Sequence, residues 1–174
     1  SGRAYRQVVY YRNDGGIYVN EIELSPFAGI NVTSSSAAKL VDIDNDGDLD
    51  LFMTNSNGEI HYFEKAADGA FVEQFLQDNP LSITQPFANS GLPFLNFTDI
   101  DHDGDQDLFF AGFSQYQGDS GLIYFENTGT KEQPLFESSY VGLFDDTPVQ
   151  GAQAFFVDHD KDGDLDAFVG DDFG

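Results

Sequence analysis

Nine residues recur three times along the chain: Asp42-Ile-Asp-Asn-Asp-Gly-Asp-Leu-Asp50, Asp99-Ile-Asp-His-Asp-Gly-Asp-Gln-Asp107 and Asp158-His-Asp-Lys-Asp-Gly-Asp-Leu-Asp166. Aspartate fills places 1, 3, 5, 7 and 9 of each copy, and glycine fills place 6. Carboxylates crowded this closely repel one another and raise each other's pKa values, so the arrangement calls for a compensating cation. A hard cation such as Ca²⁺ takes roughly six to eight oxygen ligands from carboxylates, carbonyls and water. The expected carboxylate ligands are Asp42, Asp44, Asp46 and Asp50 in loop 1, Asp99, Asp101, Asp103 and Asp107 in loop 2, and Asp158, Asp160, Asp162 and Asp166 in loop 3. Place 7, which is Asp48, Asp105 or Asp164, needs to give only its carbonyl. Gly47, Gly104 and Gly163 supply the permissive backbone that a tight wrap demands. The expectation is three Ca²⁺ sites.

The residues after place 9 decide the kind of loop. An EF-hand needs a bidentate glutamate at its twelfth position and flanking helices, but this chain has Met53, Phe110 and Val169 there. Short apolar runs come directly after each loop instead, Leu51-Phe-Met53, Leu108-Phe-Phe-Ala111 and Ala167-Phe-Val-Gly170. Others precede it, Leu40-Val41, Phe94-Leu-Asn-Phe97 and Ala154-Phe-Phe-Val157. Runs this short, aromatic and β-branched are expected to be buried strands, with the loop as their hairpin connection.

The rest of the unit repeats as well. The motifs begin at 42, 99 and 158, spacings of 57 and 59 residues. A further strand pattern recurs as Val9-Tyr-Tyr-Arg-Asn-Asp-Gly15, Ile60-His-Tyr-Phe-Glu64 and Leu122-Ile-Tyr-Phe-Glu-Asn-Thr-Gly129. Past a Gly-containing turn come Ile17-Tyr-Val19, Ala70-Phe-Val72 and Leu135-Phe136. One unit is therefore strand, acidic loop, strand, strand, turn, strand. The pattern Asp-x-Asp-x-Asp-Gly-x-x-Asp, then Gly-x-Ile-Tyr-Phe-x-Asn-x-Gly and a Phe, resembles the FG-GAP and VCBS repeats of integrin α-subunits and secreted bacterial proteins, most closely over residues 99 to 137. Lys65-Ala-Ala-Asp68 departs from it in place of Asn-x-Gly.

The resemblance implies an all-β chain built of β-propeller blades, each of four antiparallel strands with the calcium loop between its first two. Residues 1–174 are expected to be one propeller segment: 1–30 the second half of a blade, 37–80 and 93–140 whole blades, and 152–174 the first half of another. A ring needs more blades than this, so a partial propeller is expected, completed by the remainder of a longer chain or by a second copy.

A net charge of −24 with only 7 Lys plus Arg argues against nucleic acid and anionic membrane surfaces as partners. Three Ca²⁺ would leave −18. The absence of cysteine excludes disulfide staples and suits an extracellular or cell-surface protein in which metal does the fastening. No stretch is long and apolar enough to span a membrane, so no direct insertion is expected.

Familiar catalytic motifs are missing: no nucleophile elbow, zinc-protease signature, phosphate-cradling glycine loop or cysteine nucleophile occurs. His102 and His159 inside the loops are expected to face solvent, His61 to be half-buried, and Tyr116, on a polar segment, is a candidate for stacking on a sugar. Carboxylates outside the loops, such as Glu21, Glu23, Asp119, Glu132, Asp145, Asp146, Asp171 and Asp172, are scattered. The expectation is not an enzyme but a binding or scaffolding module for protein or glycan. Two alternatives are an accessory or catalytic domain of a polysaccharide-degrading enzyme and a component or cargo of a bacterial surface secretion or motility apparatus.

Overall fold

The computed structural model describes residues 6–21, 25–32, 36–75, 78–81, 94–112, 121–139 and 153–170. These hold strands β1 (Arg6–Gln7), β2 (Tyr11–Asp14), β3 (Ile17–Asn20), β4 (Asn31–Val32), β5 (Ser36–Val41), β6 (Asp50–Asn55), β7 (Ile60–Lys65), β8 (Phe71–Gln74), β9 (Phe94–Thr98), β10 (Asp107–Gly112), β11 (Gly121–Asn127), β12 (Phe136–Ser139), β13 (Gln153–Val157) and β14 (Asp166–Gly170), and no α-helix. Strands β5 to β8 form one antiparallel four-stranded meander, and β9 to β12 another. Hairpins β2–β3 and β13–β14 flank these two blades, and β1 pairs with β4 over two residues. The fold is thus all-β and has the form of a partial propeller.

The register repeats. Leu40 faces Leu51, Phe97 faces Leu108 and Phe156 faces Ala167, so the three acidic loops emerge at equivalent points of their hairpins. In the blades, Leu51 is opposite Phe63 and Leu108 opposite Phe125. Val9, Tyr10 and Leu135, expected within strands, lie just outside the observed ones, which begin at Tyr11 and Phe136. Leu135 is held back in the turn because its N–H donates to Asn127 Oδ1 at 2.9 Å.

Continuous apolar sequence in the second strand of each unit has a direct structural cause. Side chains alternate between faces along a strand, and β6 is buried along its whole length because both faces meet neighbours. Leu51 and Met53 pack with Phe63 and with Phe27 and Ile30 from the segment between β3 and β4. Phe52 faces the other way, toward the second blade, with its ring 4.7 Å from Tyr62 and 4.9 Å from Phe97. In β10 the roles recur: Leu108 and Phe110 join the core shared with Phe52, while Phe109 lies 4.1 Å from Phe156 of β13. The inner strands are also tied together, with Lys39 Nζ donating to Asn96 Oδ1 at 3.3 Å and Asn96 Nδ2 donating to the Ala154 carbonyl at 2.8 Å.

Candidate metal centres

Each acidic loop is clamped at its base by a strand pair, Val41 with Asp50, Thr98 with Asp107 and Val157 with Asp166. Between those pairs the chain must reverse in eight residues, and it does so with two left-handed positions. Place 6 has φ of 92° at Gly47, 96° at Gly104 and 104° at Gly163, a region that a side chain rarely tolerates. Place 4 has φ of 56° at Asn45, 62° at His102 and 65° at Lys161, closer to the left-handed helical well.

Backbone amides fix the carboxylates. In loops 1 and 2 the place 6 N–H donates to the place 1 carboxylate, Gly47 to Asp42 and Gly104 to Asp99, both at 3.1 Å. Place 5 N–H donates to place 3 in all three loops, at 3.3 Å for Asp46 to Asp44 and 3.2 Å for Asp103 to Asp101 and Asp162 to Asp160. Place 7 N–H donates to place 5 at 2.8, 3.1 and 2.9 Å. The result is three clusters, Asp42, Asp44 and Asp46, then Asp99, Asp101 and Asp103, then Asp158, Asp160 and Asp162, each offering carboxylate oxygens within 4.8 Å of one another.

One atom tests whether these clusters suit a cation. Oδ1 of the place 1 aspartate is buried and has no hydrogen-bond partner among the described residues in any loop, at Asp42, Asp99 and Asp158 alike. A carboxylate oxygen left buried without a donor is destabilising, and the same atom is left so three times. A hard cation coordinated by the cluster is the chemistry that satisfies it. The clusters fit a metal ion.

Places 7 and 9 lie outside these triplets. At place 9, Asp50 accepts from the Lys65 N–H at 2.8 Å and from the Tyr62 hydroxyl at 3.2 Å. Asp107 accepts from the N–H groups of Asn127 at 2.8 Å and Ile100 at 3.3 Å, and Asp166 accepts from the His159 N–H at 3.1 Å. Place 9 therefore fastens loops 1 and 2 to their blades, and in loop 3 it ties the end of the loop back to its start, whether or not it also reaches an ion. At place 7, Asp48 is ion-paired with the Lys65 ammonium. Asp105 is only 7% exposed, with Oδ1 unpartnered, whereas Asp164 is exposed.

Electrostatics reflect this crowding. Burial, and then the charge of Asp46, raises the Asp44 pKa above the ordinary carboxylate value. Burial pushes Asp50 up to about 6 against the opposing bond from Lys65. Asp105 is also pushed up to about 6, by burial and then by Asp103 and the other loop 2 carboxylates. Burial raises Asp107 as well, and burial beside Asp50 and Asp107 raises the phenols of Tyr62 and Tyr124. Loops 1 and 2 resist carrying full negative charge unless something positive joins them.

His102 and His159 are exposed, yet both make contacts. The His102 ring is 2.9 Å from the Gly163 carbonyl of the neighbouring loop, and His159 meets Phe168 edge-on at 5.5 Å. His61, partly buried, lies 2.8 Å from Glu73. Tyr116, Glu23, Asp119, Asp145, Asp146, Asp171 and Asp172 lie outside the described residues. Sequence reasoning did not foresee the supporting roles of Tyr62, Lys65 and Asn127. Asn127 Oδ1 accepts from Gly129 N–H at 3.1 Å as well as from Leu135, and Asn13 Oδ1 accepts from Gly16 N–H, one residue further along its turn, at 2.8 Å. The recurring Asn-x-Gly was the available sign of this turn clasp.

Four-stranded blades repeated with an acidic, metal-compatible hairpin loop in each define a propeller-type repeat protein. A family profile for the FG-GAP-like repeat matches residues 42–110 and again 99–169, and the chain belongs to that family. No curated protein and no solved structure matches the chain.

Proposed function

We propose that this is a calcium-stabilised propeller segment of a secreted or cell-surface protein, serving as a binding or scaffolding module toward protein or glycan. The observation that carries the calcium reading is the thrice-repeated buried and unpartnered Oδ1 at Asp42, Asp99 and Asp158. Family membership supports the binding role, and with no cysteine available for disulfides a bound metal is the fastening an extracellular setting would supply. Among the described residues no helix is long and apolar enough to cross a membrane. The proposed role is not catalytic: the crowded carboxylates that could act as acid and base are the ones the loops arrange around a cation.

Melting the chain with calcium and with excess EDTA tests the reading. Binding to the native state alone stabilises by about 2.7 kcal/mol per site at a hundredfold excess over Kd, hence about 8 kcal/mol for three independent sites. At roughly 2 to 4 °C per kcal/mol for a chain of this size, calcium is expected to raise the Tm by about 15 to 30 °C. Identical melts in calcium and EDTA would refute a structural role for the ion.

A further inference from the structure

The first two loops share a sequence pattern but not an electrostatic setting. Lys65 and Asn127 occupy the same point of their blades, since the N–H of each donates at 2.8 Å to the place 9 carboxylate, Asp50 or Asp107. Blade 1 thus places an ammonium where blade 2 places a carboxamide. The Lys65 ammonium lies on Asp48, the place 7 carboxylate of loop 1. Among the described residues loop 2 has no such counter-charge: Asp105 Oδ1 is buried without a partner. Asn127 commits its Oδ1 to Gly129 and Leu135, and its Nδ2 is likewise buried and unpartnered.

We propose that loop 1 carries its own competing cation in Lys65 and binds a divalent metal more weakly than loop 2, so that the two sites fill in sequence. The inference rests on the calcium reading above. One charge acts here: the field of the Lys65 ammonium opposes the incoming ion and so offsets what the Asp48 carboxylate adds at the site. A unit charge several ångströms from a divalent ion in a water-like medium weakens its binding on the order of tenfold. Asp105, buried and without a protein cation among the described residues, leaves the full field of its five carboxylates to the metal in loop 2. The arrangement gives one module two calcium thresholds. Loop 1 would empty first as calcium falls, loosening the blade whose central strand β6 packs against neighbours on both faces.

The test is a calcium titration of the 174-residue chain followed by ¹⁵N–¹H spectra, with the amides of Gly47 and Gly104 as reporters of loops 1 and 2. Gly104 is expected to saturate at about tenfold lower free calcium than Gly47. Lys65→Gln, and Lys65→Met as a second neutral variant, should bring the Gly47 midpoint down toward that of Gly104 and leave Gly104 unchanged. Coincident midpoints in the wild type, Gly47 saturating first, or a Gly47 midpoint unmoved in both folded variants would overturn the inference while leaving calcium binding intact. If neither glycine responds to calcium, the calcium reading itself fails, and the inference with it.

Discussion

Replacing Asp107 by Asn, compared in calcium and in EDTA, separates how the loop is fastened to the blade from how it holds charge. The side chain is 2% exposed and accepts two backbone N–H groups, from Asn127 at 2.8 Å and from Ile100 at 3.3 Å. A carboxamide has one acceptor oxygen. If that oxygen keeps the shorter bond to Asn127, the new NH₂ is set against the Ile100 N–H, donor facing donor. Losing a charge-assisted bond destabilises by about 1.5 to 3 kcal/mol and orphaning a buried donor by about 1 to 3 kcal/mol. The Ile100 bond is long, so the low end of each range applies, and the expected loss with calcium bound is about 2 to 3 kcal/mol. In EDTA the balance changes, because burial and the charges of Asp101 and Asp103 already hold the Asp107 pKa above its ordinary value, so a neutral side chain relieves repulsion. The loss without metal should fall to about 1 kcal/mol or less. Differential scanning calorimetry should therefore show a Tm lowered by roughly 5 to 10 °C in calcium and by only a few degrees in EDTA. A Tm unchanged in calcium, or a larger drop in EDTA than in calcium, would refute the assignment of Asp107 as a clamp.

Metal-free protein should become more stable on acidification from pH 7 to 5. Asp50 and Asp105 are held at about 6 in the folded chain against an unfolded value of 3.8, so the stability they contribute is present below 3.8 and is lost as pH rises through about 6. In calcium, where protons compete with the ion, the slope should be reversed, and parallel Tm profiles in calcium and EDTA would refute this account. Phe52 and Phe168 occupy the same place of the repeat but are 0% and 49% exposed. Phe52→Ala should destabilise by about 3 to 5 kcal/mol in urea unfolding. Phe168→Ala in the same chain should lose less than about 1 kcal/mol, and equal losses would show that packing between blades is not what buries Phe52.

The strands that flank each loop were legible because the place 9 aspartate is succeeded at once by apolar residues, and β6, β10 and β14 begin at that aspartate. The ligand candidates were legible from spacing alone, since a cation's demand for oxygen is written locally. Other features had no local trace. The β1–β4 pair joins Arg6 to Val32 over two residues, too short for periodicity to reveal. The Lys65 ion pair with Asp48 spans 17 residues and exists only once β7 has returned alongside β6. Nor could the sequence distinguish Phe52 from Phe168. Their neighbours in the chain are alike, and their burial is decided by whether another sheet lies against them. Periodicity reports that a face is apolar, and the packing of the next blade determines whether it is covered.

Among the described residues the bonds that shape each loop come almost wholly from its own nine residues and its own blade, with the His102 contact to Gly163 crossing between neighbours. A blade with its loop can therefore be duplicated as a cassette. A new copy brings a folded hairpin, a ligand cluster and two apolar faces already matched to its siblings, and asks nothing of the rest of the chain beyond a neighbour to stack on. Variation then has a natural place to act: a single exchange such as Asn for Lys at position 65 alters one loop's charge and leaves the stacking faces untouched.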